Sequence, residues 1–174
     1  MDRKFSIGIC GTEDLGQLEE IMKATEAGME HQDWFVADGK EFLERHLEAE
    51  GMILKAVEEQ SGEIAGFLVI RFPGMAEDNL GRDLEMDLET LLKVAHMESA
   101  AVVNRYRGNG LQGAMMQRAE EIAREKGYVW LMGTVHPDNS FSRNHFLKAG
   151  YQPMLRKIKY GGVVREIMVR NVEK

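Results

Sequence analysis

The sequence has a single cysteine, Cys10, and only three prolines. One thiol cannot close an internal disulfide or build a multi-cysteine metal site. Stability must therefore come from a buried apolar core, which 174 residues can supply. A domain of that length buries roughly 70% of the surface its unfolded chain exposes. Long hydrophobic runs are missing as well: none approaches the roughly 20 residues that span a bilayer, and residues 1–10 lack the apolar centre of a secretory leader. A basic surplus is also absent. The formal net charge of −7 argues against a general nucleic-acid binder, because phosphate contacts need a basic face. A local basic pocket for a small anion stays compatible with that charge. The expectation is one cytoplasmic globular domain over residues 1–174, with no nucleic-acid or membrane partner.

What is present is patterning. Residues 5–10 alternate apolar and polar positions and read as a strand. Thr12 opens a helix to about residue 27, with Leu15, Leu18, Ile21 and Met22 at helical spacing. A second helix is expected over 39–50, with Phe42, Leu43, His46 and Leu47 on one face. Residues 52–58 and 64–72 form a hairpin across the turn at 60–63. The acidic stretch 77–89 reads as an inserted loop or short helix. A long strand is expected over 91–103 and a strong helix over 111–126, striped by Leu111, Ala114, Met115, Ala119 and Ile122 and ended by Gly127. A strand over 128–135, a helix over 141–149 closed by Gly150, and a hairpin of 156–160 with 163–169 complete the order. This predicts an α/β fold, a mixed sheet with helices on both faces, whose one parallel crossover joins the strand ending near Val103 to that starting near Tyr128.

Gly108, Gly110 and Gly113 match G-x-G-x-x-G between a strand and a helix. That spacing suggests a dinucleotide fold. Such a fold would surround the loop with further parallel units, whereas antiparallel hairpins precede and follow it, and the next strand lacks an acidic residue for a ribose. A turn whose glycines serve backbone geometry alone is a second reading. The third is an anion cradle. Amide N–H groups at a helix N-terminus bind phosphate or pyrophosphate, glycine lets the backbone approach closely, and Arg105 and Arg107 add positive charge.

The run Ala101-Val102-Val103-Asn104-Arg105-Tyr106-Arg107-Gly108-Asn109-Gly110-Leu111 resembles the acetyl-CoA-binding motif of the GNAT superfamily of N-acetyltransferases. In that motif an Arg or Gln is followed, after two residues, by Gly-x-Gly or Gly-x-Ala. Arg107 and Gly110 match, and Gln112 departs from the last position with Gly113 immediately after it. A second stretch, from Asn139 through Phe146 to Gly150-Tyr151, has the family's spacing between its asparagine and a glycine-aromatic helix end. Together the two cover about residues 98–151.

The resemblance implies a GNAT fold with acetyl-CoA as cosubstrate. The pantetheine arm would pair with backbone at Ala100 and Val102. The pyrophosphate would lie on the amides of Arg107, Gly108, Asn109, Gly110, Leu111, Gln112 and Gly113, and Asn139 would flank the coenzyme arm. Arg143 or Lys148 would be candidates for an adenosine phosphate. No metal is implied. The reaction would be direct attack of a neutral primary amine on the thioester in a ternary complex, with the Val102 amide holding the oxyanion. A lysine-like amine, with a reference pKa near 10.4, is neutral in only about one molecule in a thousand at pH 7. A base or water relay therefore helps. His96 and Glu98 stand two apart on one strand and share a face, so either qualifies. Phe146 occupies the position at which many members carry a tyrosine acid. That departure leaves a catalytically silent acyl-CoA sensor as the competing reading. The acceptor is expected to be a small-molecule or peptide amine, with a homodimer possible. The carboxylates of 77–89 would draw a cationic amine if that segment overhangs the cleft.

Overall fold

The computed structural model describes residues 3–35 and 38–173. Seven strands form one mixed sheet in the order β1-β2-β3-β4-β5-β7-β6. They are β1 (Phe5–Ile9), β2 (Gly51–Glu58), β3 (Ile64–Arg71), β4 (Val94–Val102), β5 (Trp130–Val135), β6 (Gln152–Lys159) and β7 (Val163–Asn171). The helices are α1 (Leu15–Ala27), α2 (Lys40–Glu48), α3 (Leu88–Leu91), α4 (Leu111–Glu125) and α5 (Ser140–Lys148). The expected parallel crossover is there: β4 pairs parallel with β5, whereas β1 with β2, β5 with β7 and β6 with β7 are antiparallel.

By contacts the chain divides into two compact units, Met1–Ile70 with Ser99–Ala119, and Arg71–Glu98 with Glu120–Lys174. In the first, Leu18 and Met22, four apart on α1, are buried with Leu43 of α2, Ile53 of β2 and Phe67 of β3. The core of the second gathers Leu80, Val94, Met132, Ile167 and Val169. No helix among the described residues is long and apolar enough to cross a membrane.

Several boundaries differ from the sequence reading, each for a local reason. Thr12–Asp14 is a 3-10 turn, and α1 starts at Leu15. The Asp14 carboxylate accepts the Gly11 N–H at 2.9 Å and the Lys55 ammonium at 2.6 Å, which ties the turn to β2. Residue 91 belongs to a helix instead of the long strand. Asp87 caps α3 by accepting the Thr90 N–H at 2.8 Å, and β4 begins only at Val94. Strand β5 begins at Trp130 rather than at 128, because the Tyr128 N–H is still bonded to the Ala123 carbonyl at the end of α4, at 2.9 Å. Strand β6 starts four residues earlier than expected, and Tyr160 lies outside it. Its side chains are exposed almost throughout, so it carries no inward-outward alternation to read. Pro153 fits there because β6 is an edge strand, where a missing N–H need not break a ladder.

Candidate active site

In the first unit, the loop before α4 has the geometry of an anion cradle. Gly108 and Gly110 hold φ of 83° and 69°, left-handed values that favour glycine. The first helical bond of α4 runs from the Ala114 N–H to the Gly110 carbonyl at 3.0 Å. The amides of Leu111, Gln112 and Gly113 therefore precede the helix's own ladder, as the first-turn donors of any helix do. A Cβ built at Gly108, Gly110 or Gly113 meets nothing within 4 Å, so the space above the loop is open. Asn109 pins the turn by donating its side-chain N–H to the Tyr106 carbonyl at 2.8 Å. The Arg107 side chain reaches back to the Val102 carbonyl at 3.4 Å. Arg105 is committed elsewhere: it pairs with Glu63 at 2.6 Å and lies over the Tyr106 ring.

The end of β4 presents a backbone edge. The Val103 N–H donates to the Ala65 carbonyl at 2.8 Å, and the Ala101 carbonyl also faces β3, at 2.7 Å from a Cβ built on Gly66. Polar groups alternate sides along a strand, so the N–H and C=O of Ala100 and Val102 point away from β3. On that side the printed β4–β5 partners run from Val94↔Trp130 to Met97↔Gly133, and β4 continues for five residues past the last of them. Gly66, which sequence reasoning passed over, permits the close approach of β3 to this segment.

The second unit holds the polar cleft. It is lined by Arg71, Asp78, His96, Glu98, Thr134 and Tyr160, among others. The two relay candidates differ sharply in access: the His96 side chain is 3% exposed and that of Glu98 is 22%. His96 Nε2 accepts the Leu80 N–H at 3.0 Å, and Nδ1 lies 3.1 Å from Glu98 Oε1. Because Nε2 is an acceptor, the ring proton sits on Nδ1 and is donated to Glu98. Arg71 approaches the same Glu98 oxygen at 3.5 Å and is itself gripped by Asp78 through two bonds of 2.7 and 2.9 Å. The Arg71 guanidinium holds the Asp78 carboxyl below the usual carboxylate range. A buried histidine thus orients a carboxylate that solvent can reach.

Other expected site residues make contacts within the protein. Asn139 caps α5, its side-chain Oδ1 accepting the Ser142 N–H at 3.2 Å. Arg143 is held by Glu166 at 2.7 Å. Phe146 is buried with its ring over Gly133, where an added Cβ would come within 2.6 Å of it, and packs edge-on against Tyr151. Burial pushes the Tyr151 phenol far up. The acidic segment is not the bare negative rim expected. Asp83 sits between Lys157 and Lys159 at 2.5 and 2.6 Å, Glu89 pairs with Lys93 at 3.4 Å, and Asp87 is spent on its helix cap. Arg71 and Tyr160 were missed, since neither stands in a motif. Among the described residues no group of three or more His, Cys, Asp or Glu is placed to hold a metal.

A family model described as the acetyltransferase (GNAT) family matches residues 16–151. No curated protein matches the sequence. Among solved structures, Arabidopsis thaliana NAA60 in complex with acetyl-CoA superposes with a TM-score of 0.79 at 14% identity, covering 97% of this chain and 99% of that one. The ribosomal-protein alanine N-acetyltransferase from Escherichia coli gives 0.72 at 15%, covering 98% and 96%. An N-acetyltransferase from Staphylococcus aureus gives 0.72 at 16%, covering 98% and 99%. At these identities the likeness is one of fold.

Proposed function

Since the chain belongs to the GNAT family of acetyltransferases, we propose that it moves an acetyl group from acetyl-CoA to a primary amine by direct attack, as one catalytic domain with Glu98 as the base. The observation that carries this reading is the Glu98 carboxylate. It is partly exposed, is oriented by the His96 N–H and by Arg71, and stands one residue beyond the last β4–β5 pair.

The roles follow from chemistry. First-turn amides of α4 and the glycine loop take the pyrophosphate, helped by the positive end of a 15-residue helix. The outward edges of Ala100 and Val102 pair with the pantetheine arm, and the Val102 N–H stabilises the oxyanion as the carbonyl becomes tetrahedral. Glu98, two residues before Ala100 on the same strand, takes the proton from the attacking nitrogen. An acceptor with a lysine-like amine has a deprotonation deficit of roughly 4–5 kcal/mol at pH 7, while an α-amino group near pKa 8 has far less. His96 acts through Glu98 and is a positioning residue.

Calorimetry with CoA and with NAD separates this reading from the dinucleotide one. CoA binding with no comparable NAD signal supports it, and tighter NAD binding sinks it. The silent-sensor reading draws on Phe146 alone, and turnover of acetyl-CoA with amines decides that question.

A further inference from the structure

The glycine loop leaves a turn that is anchored from outside. Tyr106 closes the turn Asn104–Tyr106 and is 4% exposed. Its hydroxyl donates to Glu63 Oε2 at 2.6 Å, and Arg105 reaches the same oxygen at 2.6 Å. The guanidiniums of Arg105 and Arg3 lie 4.8 and 5.1 Å from the centre of its ring, and Phe5 meets the ring edge-on at 5.7 Å. Arg3 also donates to the Arg105 carbonyl at 3.0 Å. All of these residues belong to the first unit.

Three distant segments build this anchor. Pairing of β1 with β2 sets Phe5 opposite Glu58, at the base of the β2–β3 turn. The Glu58 carboxylate accepts the Ser61 N–H at 2.8 Å and the Ser61 hydroxyl at 2.6 Å, and the Glu58 N–H donates to the Glu63 carbonyl at 2.9 Å. Glu63 is therefore held by its own turn. Because the Ala65 carbonyl is bonded to the Val103 N–H, Glu63, just before β3, comes beside the residues just after β4.

The phenol–carboxylate bond is the strongest of these contacts. An O–H that donates to an ionised carboxylate makes a charge-assisted bond, and 2.6 Å suits one. The Tyr106 hydroxyl, and after it Arg105, hold the Glu63 carboxyl below its ordinary value. By contrast, the Arg105 and Glu63 side chains are 56% and 50% exposed, and an ion pair so open to water contributes little.

What the anchor holds is the loop that follows. The Tyr106 carbonyl accepts the Asn109 side-chain N–H, and Asn109 stands between the two left-handed glycines, Gly108 and Gly110. Glycine otherwise samples many backbone conformations. A loop already in its bound shape loses less freedom when a ligand arrives.

We propose that Tyr106 and Glu63 are positioning residues for the coenzyme, whose mutual bond sets the start of the glycine loop and so presets its amides for the pyrophosphate. The role rests on the acetyl-CoA reading above. Charge alone is the competing account. Arg3 and Arg105 carry two positive charges against the one negative charge of Glu63, so loss of Glu63 would raise the positive field met by an anionic ligand. The two accounts give opposite signs for that loss.

The test measures CoA binding to the full chain by calorimetry, with Tyr106→Phe, Glu63→Ala and the double variant, each checked for folding by a thermal melt. Tyr106→Phe keeps the ring and removes only the hydroxyl. Each single change should raise the Kd for CoA by about tenfold, the scale of one charge-assisted hydrogen bond. The double variant should match the singles, because all three lack the same bond. With an amine that the wild type acetylates, kcat at saturating acetyl-CoA should stay within about twofold. Unchanged Kd in both single variants, whatever their melting temperatures, overturns the proposal and leaves the cluster a structural tie. Tighter CoA binding in Glu63→Ala overturns it in favour of charge. A double variant in which the two losses multiply overturns it too, since the residues would then act separately. If Tyr106→Phe does not fold, Glu63→Ala, at a half-exposed side chain, still decides between the signs. Wild-type protein that fails to bind CoA removes the acetyl-CoA reading itself, an outcome distinct from CoA binding that the two changes leave untouched.

Discussion

His96 and Glu98, two residues apart on β4, share a hydrogen bond of 3.1 Å, and the far nitrogen of the same imidazole is bonded to the Leu80 N–H. The imidazole has no free lone pair, so in the proposed reaction the carboxylate is the group to take the proton and the histidine aims it. Glu98→Gln should lower kcat by about 10²-fold or more, and His96→Ala by less. The double variant should resemble Glu98→Gln, because the two changes act on one unit. Steady-state kinetics across pH 6 to 9 check this. If both single variants keep wild-type turnover, water is the base.

The coenzyme loop predicts a contrast between two glycines with like backbones. Gly110 and Gly127 have φ of 69° and 85°, and a Cβ at either meets nothing within 4 Å. Valine at either should destabilise the fold by about 1–2 kcal/mol through left-handed strain. Only Gly110→Val should abolish CoA binding, because only there would the side chain occupy the phosphate's place. Thermal melts and calorimetry on the pair separate strain from ligand loss.

Gly133 sets the packing behind the cleft. A Cβ there would stand 2.6 Å from the Phe146 ring and 3.2 Å from the Met97 carbonyl. Gly133→Ala should cost about 1–3 kcal/mol, the range for overpacking a filled interior. Denaturant unfolding measures it, and an unchanged midpoint would show that the Phe146 ring moves aside freely.

Asp83 carries a pH prediction. Burial works against its charged form, but the Lys157 and Lys159 ammoniums prevail and hold its carboxyl below the usual range. A carboxyl lowered in the folded state adds stability that is present above its unfolded value, near 3.9, and is lost as pH falls through the lower folded value. Melting temperature should therefore drop on acidification below about pH 4. Asp83→Asn should flatten that drop and lower stability at pH 7 by about 1–2 kcal/mol, between the surface and buried limits for ion pairs. Asp83 is then a structural tie, and its neutralisation should leave the salt response of kcat/KM unchanged.

The sequence made the local features legible. Helix α4 announced itself by its apolar stripe and by Gly127 at its end. The glycine loop did so by spacing, and the shared face of His96 and Glu98 by strand alternation. What it hid were partners brought together over long separations. Asp83 meets Lys157 across 74 positions, so the acidic segment looked bare when read alone. Arg71 ends a strand, and its bond to Asp78 depends on how the intervening loop turns back. Tyr160 looked like the last residue of a strand; its left-handed backbone takes it out of the strand, and its hydroxyl meets that of Thr134, 26 positions away. The partner of the His96 Nε2 was equally invisible, because the Leu80 N–H that it accepts stands sixteen residues away.

The most direct test of acetyl transfer is CoA release from acetyl-CoA with a panel of primary amines, followed by identification of the acetylated product. At least one amine should drive thiol release well above the amine-free rate and be recovered as its acetamide. Glu98→Gln should bind acetyl-CoA with unchanged affinity while losing that release. Tight acetyl-CoA binding without amine-dependent release from any member would contradict catalysis and leave a coenzyme-binding protein.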